Sequence, residues 1–251
     1  MNNGNEWWRP SSLLNAEKRH REILDDNALD LKNDFGSYRR VLKTGKIEQS
    51  GLESHNDIYP ELKLLSIEKI FGPFQPNDIL DAGCGMGFTT LALKKIYPSA
   101  EVYGVDVSKD AIEYACHHHL GPKFQQLVLS PETDAISFFD LIYCIEFYPF
   151  TRNTEVAFQV QMIEWFVNQL KVHGKLIIYQ DWSNPNSLSS VLVTVKEGLP
   201  HLSFDLRETP NPRLLKYFPI WLSLKLTLLL NIAYGRQLSR KVLIIRRKSE
   251  V

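Results

Sequence analysis

From residue 77 onward, short apolar runs alternate with stretches in which apolar residues recur every three or four positions. The run Asp78-Ile79-Leu80-Asp81 has the length and flanks of a buried strand. Phe88, Leu91, Ala92 and Ile96 then fall at helical spacing until Pro98. A second strand is expected over 101–107. Ser108 is placed to cap a helix whose apolar face is Ala111, Ile112, Ala115 and Cys116, and which Gly121-Pro122 stops. Two more strands are expected over 124–129 and 139–145. Val156, Val160, Ile163, Val167 and Leu170 mark a long helix, with Gly174 near its C-cap and a strand over 175–180. A strand near 202–207 and a last one over 242–246 complete the series. Strands that alternate with helices imply an α/β fold, a doubly wound and mainly parallel sheet covered on both faces.

Two regions depart from this alternation. Residues 1–76 are polar and mixed in charge, with a helical stretch near 11–26, a Gly- and Ser-bearing segment over 45–54 and a helix over 60–71 that Gly72-Pro73 ends. They are expected to form a helical extension to a core over 77–251. Within that core, residues 210–240 hold about 30 positions where a tight hairpin would suffice. Their pattern is ambiguous: Leu222, Leu224, Leu226 and Leu228 alternate as in a strand, yet Ser223, Thr227 and Asn231 make a helical polar stripe. A helical cap over an acceptor pocket is the expectation, with an extra packing layer or a homodimer contact as the alternative.

Composition narrows the function. Of the 251 residues 44% are hydrophobic and 23% charged, enough for a large core and too ordered a mixture for a disordered chain. Lys plus Arg equals Asp plus Glu at 29 each, so no global field draws the chain to nucleic acid. The charge is unevenly spread, however. From Leu206 to the end there are 10 basic and 2 acidic residues, net +8, whereas Glu61 to Asp205 has 10 basic and 17 acidic, net −7. The C-terminal part is therefore the one suited to an anionic or lipid-linked partner, or to peripheral membrane contact. Three dispersed cysteines, Cys84, Cys116 and Cys144, fit neither a disulfide framework nor structural zinc, and the His117-His118-His119 run cannot place three ligands on one helix face, so it is expected to be a solvated surface. No metal is expected. Neither a secretory signal nor a membrane span is legible, so a cytoplasmic location is expected.

The chemistry lies in Asp81-Ala82-Gly83-Cys84-Gly85-Met86-Gly87-Phe88, between a strand and a helix. Its glycines let the backbone turn sharply and approach a ligand, and the helix behind them offers unpaired N–H groups. A dinucleotide fingerprint, leading to an NAD-type oxidoreductase, would want Gly or Ala where Phe88 stands. The segment instead resembles motif I of the class I S-adenosylmethionine-dependent methyltransferases, in their small-molecule, type 11-like form. Val102 to Ser108 is similar to that family's second strand, Phe139 to Cys144 to its fourth and Leu170 to Ile178 to its fifth.

The resemblance implies a seven-stranded Rossmann-like sheet with its last strand antiparallel, and S-adenosylmethionine as cofactor, leaving as S-adenosylhomocysteine. It implies that Asp81, Ala82, Gly83, Cys84, Gly85 and Gly87 contact the amino acid end of the cofactor. Asp106 would hold the ribose hydroxyls, since an ionised carboxylate accepts from two adjacent donors. Val107 would face the adenine, Ser130 or Glu132 would read its amino group, and Cys144 would line the sulfonium side. The chain lacks the Asn/Asp-Pro-Pro-aromatic sequence after the fourth strand that accompanies nucleobase N-methylation. Oxygen methylation of a metabolite or glycan intermediate is the expectation, with Glu146, Asp181 and Tyr148 as candidate catalytic groups and His55, Tyr59 and His173 behind them. A cofactor-binding module without catalysis is the remaining alternative.

Overall fold

The computed structural model describes residues 58–71, 74–134, 136–180, 182, 184–210, 214–234 and 240–248. The expected helix over 11–26, His55 and Asp181 lie outside the described residues. In chain order the elements are α1 (Ile58–Phe71), β1 (Asp78–Ala82), α2 (Phe88–Ile96), β2 (Glu101–Asp106), α3 (Lys109–His118), β3 (Lys123–Gln126) and β4 (Phe139–Ile145). Then come α4 (Tyr148–Arg152), α5 (Val156–Asn168), β5 (Leu170–Gln180), α6 (Leu188–Gly198), β6 (Leu202–Thr209), a 3₁₀ turn (Leu214–Lys216), α7 (Ile220–Tyr234) and β7 (Arg240–Arg247).

The seven strands form one sheet in the order β3-β2-β1-β4-β5-β7-β6. The pairs among β1 to β5 are parallel; β7 runs antiparallel to both β5 and β6. The chain leaves β1 for β2 on one side and returns to β4 on the other. That reversal opens a crevice at the carboxyl ends of β1, β2 and β4, the ordinary ligand position in such sheets. Ile79, Leu80, Ala82, Leu141, Ile142, Ile177 and Ile178 are all buried because helices cover both faces. Leu80, Ala82 and Ile178 meet Met162, Phe166, Leu188 and Leu192 of α5 and α6 on one face. Ile79, Leu141 and Ile177 meet Leu64, Ile67 and Leu93 of α1 and α2 on the other.

Two local expectations are corrected. The helix before β5 ends at Asn168 with Gln169 as its cap, and its backbone N–H reaches back to Phe166 and Val167. Gly174 is therefore not a helix terminus. It lies in an irregularity of β5, where pairing jumps from Phe139–Leu170 to Leu141–Lys175 and His173 takes a left-handed φ of 67°. A Cβ at 174 would stand 3.0 Å from the Phe139 carbonyl oxygen, which explains a glycine there. The histidine run also divides. His117 and His118 are exposed, but His119 is buried, with Nε2 2.9 Å from the Met86 carbonyl oxygen and its ring edge-on to Phe88.

Candidate cofactor and acceptor site

The loop from β1 to α2 is tied to the next strand by its own backbone. The N–H groups of Gly83 and Cys84 both donate to the Val105 carbonyl, at 2.8 and 3.0 Å. Gly83, Gly85 and Gly87 adopt φ values of 75°, 53° and 81°, which L side chains rarely take. Two of them also stand where no Cβ fits. At 83 it would lie 2.7 Å from Cδ2 of Phe147, and at 87 it would lie 2.7 Å from Cε1 of Phe124. Gly87 is the N-cap of α2 and brings no side-chain cap to its first N–H groups, which leaves them suited to an anionic ligand.

Two buried carboxylates flank this loop. Asp106, at the end of β2, accepts from the Gly85 N–H through Oδ2 and from the Ser108 N–H through Oδ1, each at 2.8 Å. Each oxygen keeps acceptor capacity for a further donor. Burial pushes its pKa up, and those backbone donors work against the rise. Asp81, at the end of β1, accepts from the Thr90 hydroxyl at 2.7 Å. Burial is the main reason its pKa rises to about 7; the Thr90 bond opposes this and the Asp106 charge adds to it.

The other residues marked by sequence take different positions. Ala82 is buried in the core at the end of β1. Val107 follows Asp106 half-buried, and its carbonyl accepts from Gln126 Nε2 at 3.3 Å. Ser130 is buried and caps its own turn, accepting from the Glu132 N–H at 3.3 Å, whereas Glu132 is exposed. Cys84 and Cys144 are buried, which holds both thiols well above their usual range and makes them packing groups, not nucleophiles.

Of the candidate catalytic residues, Glu146 and Tyr148 lie just beyond the end of β4. Glu146 is exposed with a left-handed φ of 52°, and its N–H donates to the Tyr179 carbonyl at 2.8 Å. Such a conformation is costly for a residue with a Cβ and persists only where its surroundings fix it. Tyr148 opens α4, with the Arg152 guanidinium 5.3 Å from its ring centre. His173 is exposed in the β5 irregularity, at the opposite end of that strand.

Sequence reasoning passed over three residues here. Thr90 fixes Asp81 from one turn into α2. Phe147 closes over Gly83 and joins Phe150 and Phe166 in edge-on contacts of 5.6 and 5.7 Å between ring centres. Gln180, the last residue of β5, is fully buried, and neither Nε2 nor Oε1 has a hydrogen-bond partner among the described residues. A polar residue closing the apolar run Leu176 to Tyr179 was the signal that could have singled it out.

Comparison with known proteins agrees with this geometry. Residues 79–167 match a family model described as a methyltransferase domain. The malonyl-[acyl-carrier protein] O-methyltransferase of Hahella chejuensis is 48% identical over 44 residues, 18% of this chain and 16% of that protein. The ribosomal RNA small subunit methyltransferase G of Streptococcus pyogenes is 31% identical over 88 residues, 33% of this chain and 37% of that one. The matched stretches thus span well under half the length of these curated relatives. The plantazolicin methyltransferase BpumL, solved in complex with a monoazolic desmethylPZN analog and SAH, superimposes with a TM-score of 0.57 at 14% identity, over 95% of this chain and 97% of that one. For the magnesium protoporphyrin IX methyltransferase of Synechocystis PCC 6803 with bound SAM the TM-score is 0.55 at 16% identity, over 89% and 100%. At those identities the likeness is one of fold. Residues 79–167 thus match a methyltransferase domain, and the seven-stranded sheet that contains them has the fold of these solved methyltransferases.

Proposed function

We propose that this chain transfers the methyl group of S-adenosylmethionine to a hydroxyl oxygen of a small molecule or glycan intermediate. The observation that carries the cofactor half is Asp106. It is a buried carboxylate with one backbone N–H on each oxygen and capacity for one more donor on each, as two ribose hydroxyls require. The uncapped start of α2 and the glycine positions without room for a Cβ supply a backbone cradle beside it. In this reading Asp81 and residues 82–87 hold the amino acid end, Val107 with Ser130 or Glu132 the adenine, and Cys144 the wall beside the reacting carbon. When bound, the sulfonium presents an activated methyl group to a nucleophile in line with its carbon–sulfur bond.

The chain's own contribution is orientation, which in favourable intramolecular cases is worth about 7–11 kcal/mol. The Gln180 amide offers a donor nitrogen and an acceptor oxygen, a match for a hydroxyl group, which both donates and accepts. Glu146, an exposed carboxylate at the neighbouring strand end, takes the proton that the hydroxyl loses, a role worth about 10²–10⁴-fold in rate. Tyr148 and Asp181 are the further candidates beside it.

Calorimetric titration of wild type and Asp106→Asn with S-adenosylmethionine, S-adenosylhomocysteine and NAD tests the cofactor half. Binding of the two sulfur ligands alone, weakened at least about tenfold in the variant by loss of a charged acceptor, is expected. Binding of NAD alone would return the chain to the oxidoreductase reading. Transfer of labelled methyl to hydroxylated acceptors, lost in Glu146→Gln, tests the second half. Tight cofactor binding without transfer to any acceptor would leave a binding module.

A further inference from the structure

Helix α7 is inside out. Its hydroxyl residues Ser223 and Thr227 are both 0% exposed, whereas Trp221 is 63%, Leu229 62% and Ile232 82% exposed. Both hydroxyls bond to nearby backbone: Ser223 donates to the carbonyl of Phe218, just before the helix, at 3.1 Å, and Thr227 to the Ser223 carbonyl at 2.7 Å. At 100° per residue, Trp221, Lys225, Leu228 and Ile232 fall on one stripe opposite Ser223. Just before the helix, Tyr217 is 78% exposed. A water-facing helix carries the reverse arrangement, so this stripe is built to meet something apolar.

The charge of the flanking sequence says what. From Pro210 to Lys241 the sequence has six basic residues and no acidic one. The one charge on the stripe is Lys225, whose ammonium stands 5.7 Å from the Trp221 ring centre. Aromatic rings, aliphatic side chains and lysines whose stems can lie along apolar surface are the composition of a helix resting in the headgroup region of an anionic bilayer. A second copy of the chain fits poorly, because a two-fold contact sets each surface against itself and would bring like charges together. The helix is 15 residues long, about 22 Å, and no described helix is long and apolar enough to cross a membrane.

We infer that α7 is a peripheral docking surface for anionic lipid bilayers, lying in the membrane plane with Trp221, Leu228, Leu229 and Ile232 inserted. The surface stands independently of the methyl-transfer reading. The whole chain is tested by flotation with vesicles of phosphatidylcholine alone and with about one third phosphatidylglycerol, for wild type, Trp221→Ser/Ile232→Glu and Lys225→Glu. Wild type should float with the anionic vesicles only, and less at 1 M salt, where the screening length is about 3 Å. The double variant should bind at least about tenfold more weakly and Lys225→Glu several-fold more weakly, both with an unchanged unfolding temperature, since all three side chains are exposed. Absence of flotation overturns the inference, as does equal binding by wild type and the double variant. A wild-type dimer that the double variant dissociates, with no flotation by either, would assign the stripe to a second copy instead.

Discussion

Asp81 offers a direct test of the electrostatics of the site, because its cost and its use pull in opposite directions. Almost wholly buried, it is held by burial, against the Thr90 bond and together with the Asp106 charge, at a pKa of about 7 in place of 3.8. The fold prefers the neutral carboxyl. Its stabilising contribution is complete below pH 3.8 and is lost as pH rises to about 7, the window in which the folded chain holds a proton that the unfolded chain has released. At 1.36 kcal/mol per pH unit the whole loss is about 4 kcal/mol at pH 8, of which about 2–3 kcal/mol falls above pH 5. Asparagine carries no charge and keeps an oxygen for the Thr90 hydroxyl, which now donates at 2.7 Å. The stability advantage of Asp81→Asn should therefore grow by that same 2–3 kcal/mol between pH 5 and pH 8.

Thermal unfolding of the ligand-free wild type and variant across that range measures it. At about 2–4 °C per kcal/mol for a chain of this size, the gap between the two midpoints should widen by roughly 5–11 °C. Other groups titrate in both proteins and cancel in the difference. A gap that does not change with pH would mean that Asp81 is ionised throughout, and would refute the burial argument. With S-adenosylmethionine added at pH 8 the order should reverse, because ligand binding stabilises only the protein that retains the carboxylate. A variant that gained stability and also kept the ligand would show that the loop uses Asp81 for neither purpose.

Three further outcomes follow from the packing and the unpaired groups. Gly104→Ala puts a Cβ 2.7 Å from Phe124 Cδ1 and 2.9 Å from Thr90 Oγ1, so it should cost about 1–3 kcal/mol in urea unfolding, with part of the loss restored by Phe124→Leu. Gln180→Leu removes a buried amide that has no partner among the described residues. It should raise the unfolding free energy by about 1–3 kcal/mol and leave cofactor affinity within about twofold, while methyl transfer falls. Asp106→Asn should keep at most one of its two backbone hydrogen bonds, because its amide nitrogen can only donate. Loss of cofactor-dependent thermal protection then reports the site, and unchanged protection would reassign the ribose contact.

What the chain discloses in advance depends on how far apart the interacting residues lie. β1 and β4 are legible because strands covered on both faces must be apolar at successive positions, as Ile79-Leu80 and Leu141 to Cys144 are, with Asp81 the charged exception at the end of β1. The cofactor loop is legible for a related reason. Gly83, Gly85 and Gly87 sit within five residues and are required by the local backbone, whichever partners later pack on them. Gly174 misleads because a glycine after a helix has two uses, and only the pairing of β5 with Phe139 decides between them. His119 misleads because its acceptor, the Met86 carbonyl, is 33 residues away. The same separation hides the acceptor side. Gln180 meets the end of β7 through the Gln180–Lys241 pair, Trp182 donates to the Lys241 carbonyl at 2.7 Å, and Glu146 takes its conformation beside Tyr179. A cofactor common to many enzymes can be held by one contiguous loop and two strand ends. An acceptor particular to one enzyme is held by groups that only the finished fold brings together, so substrate choice is the last thing a sequence yields.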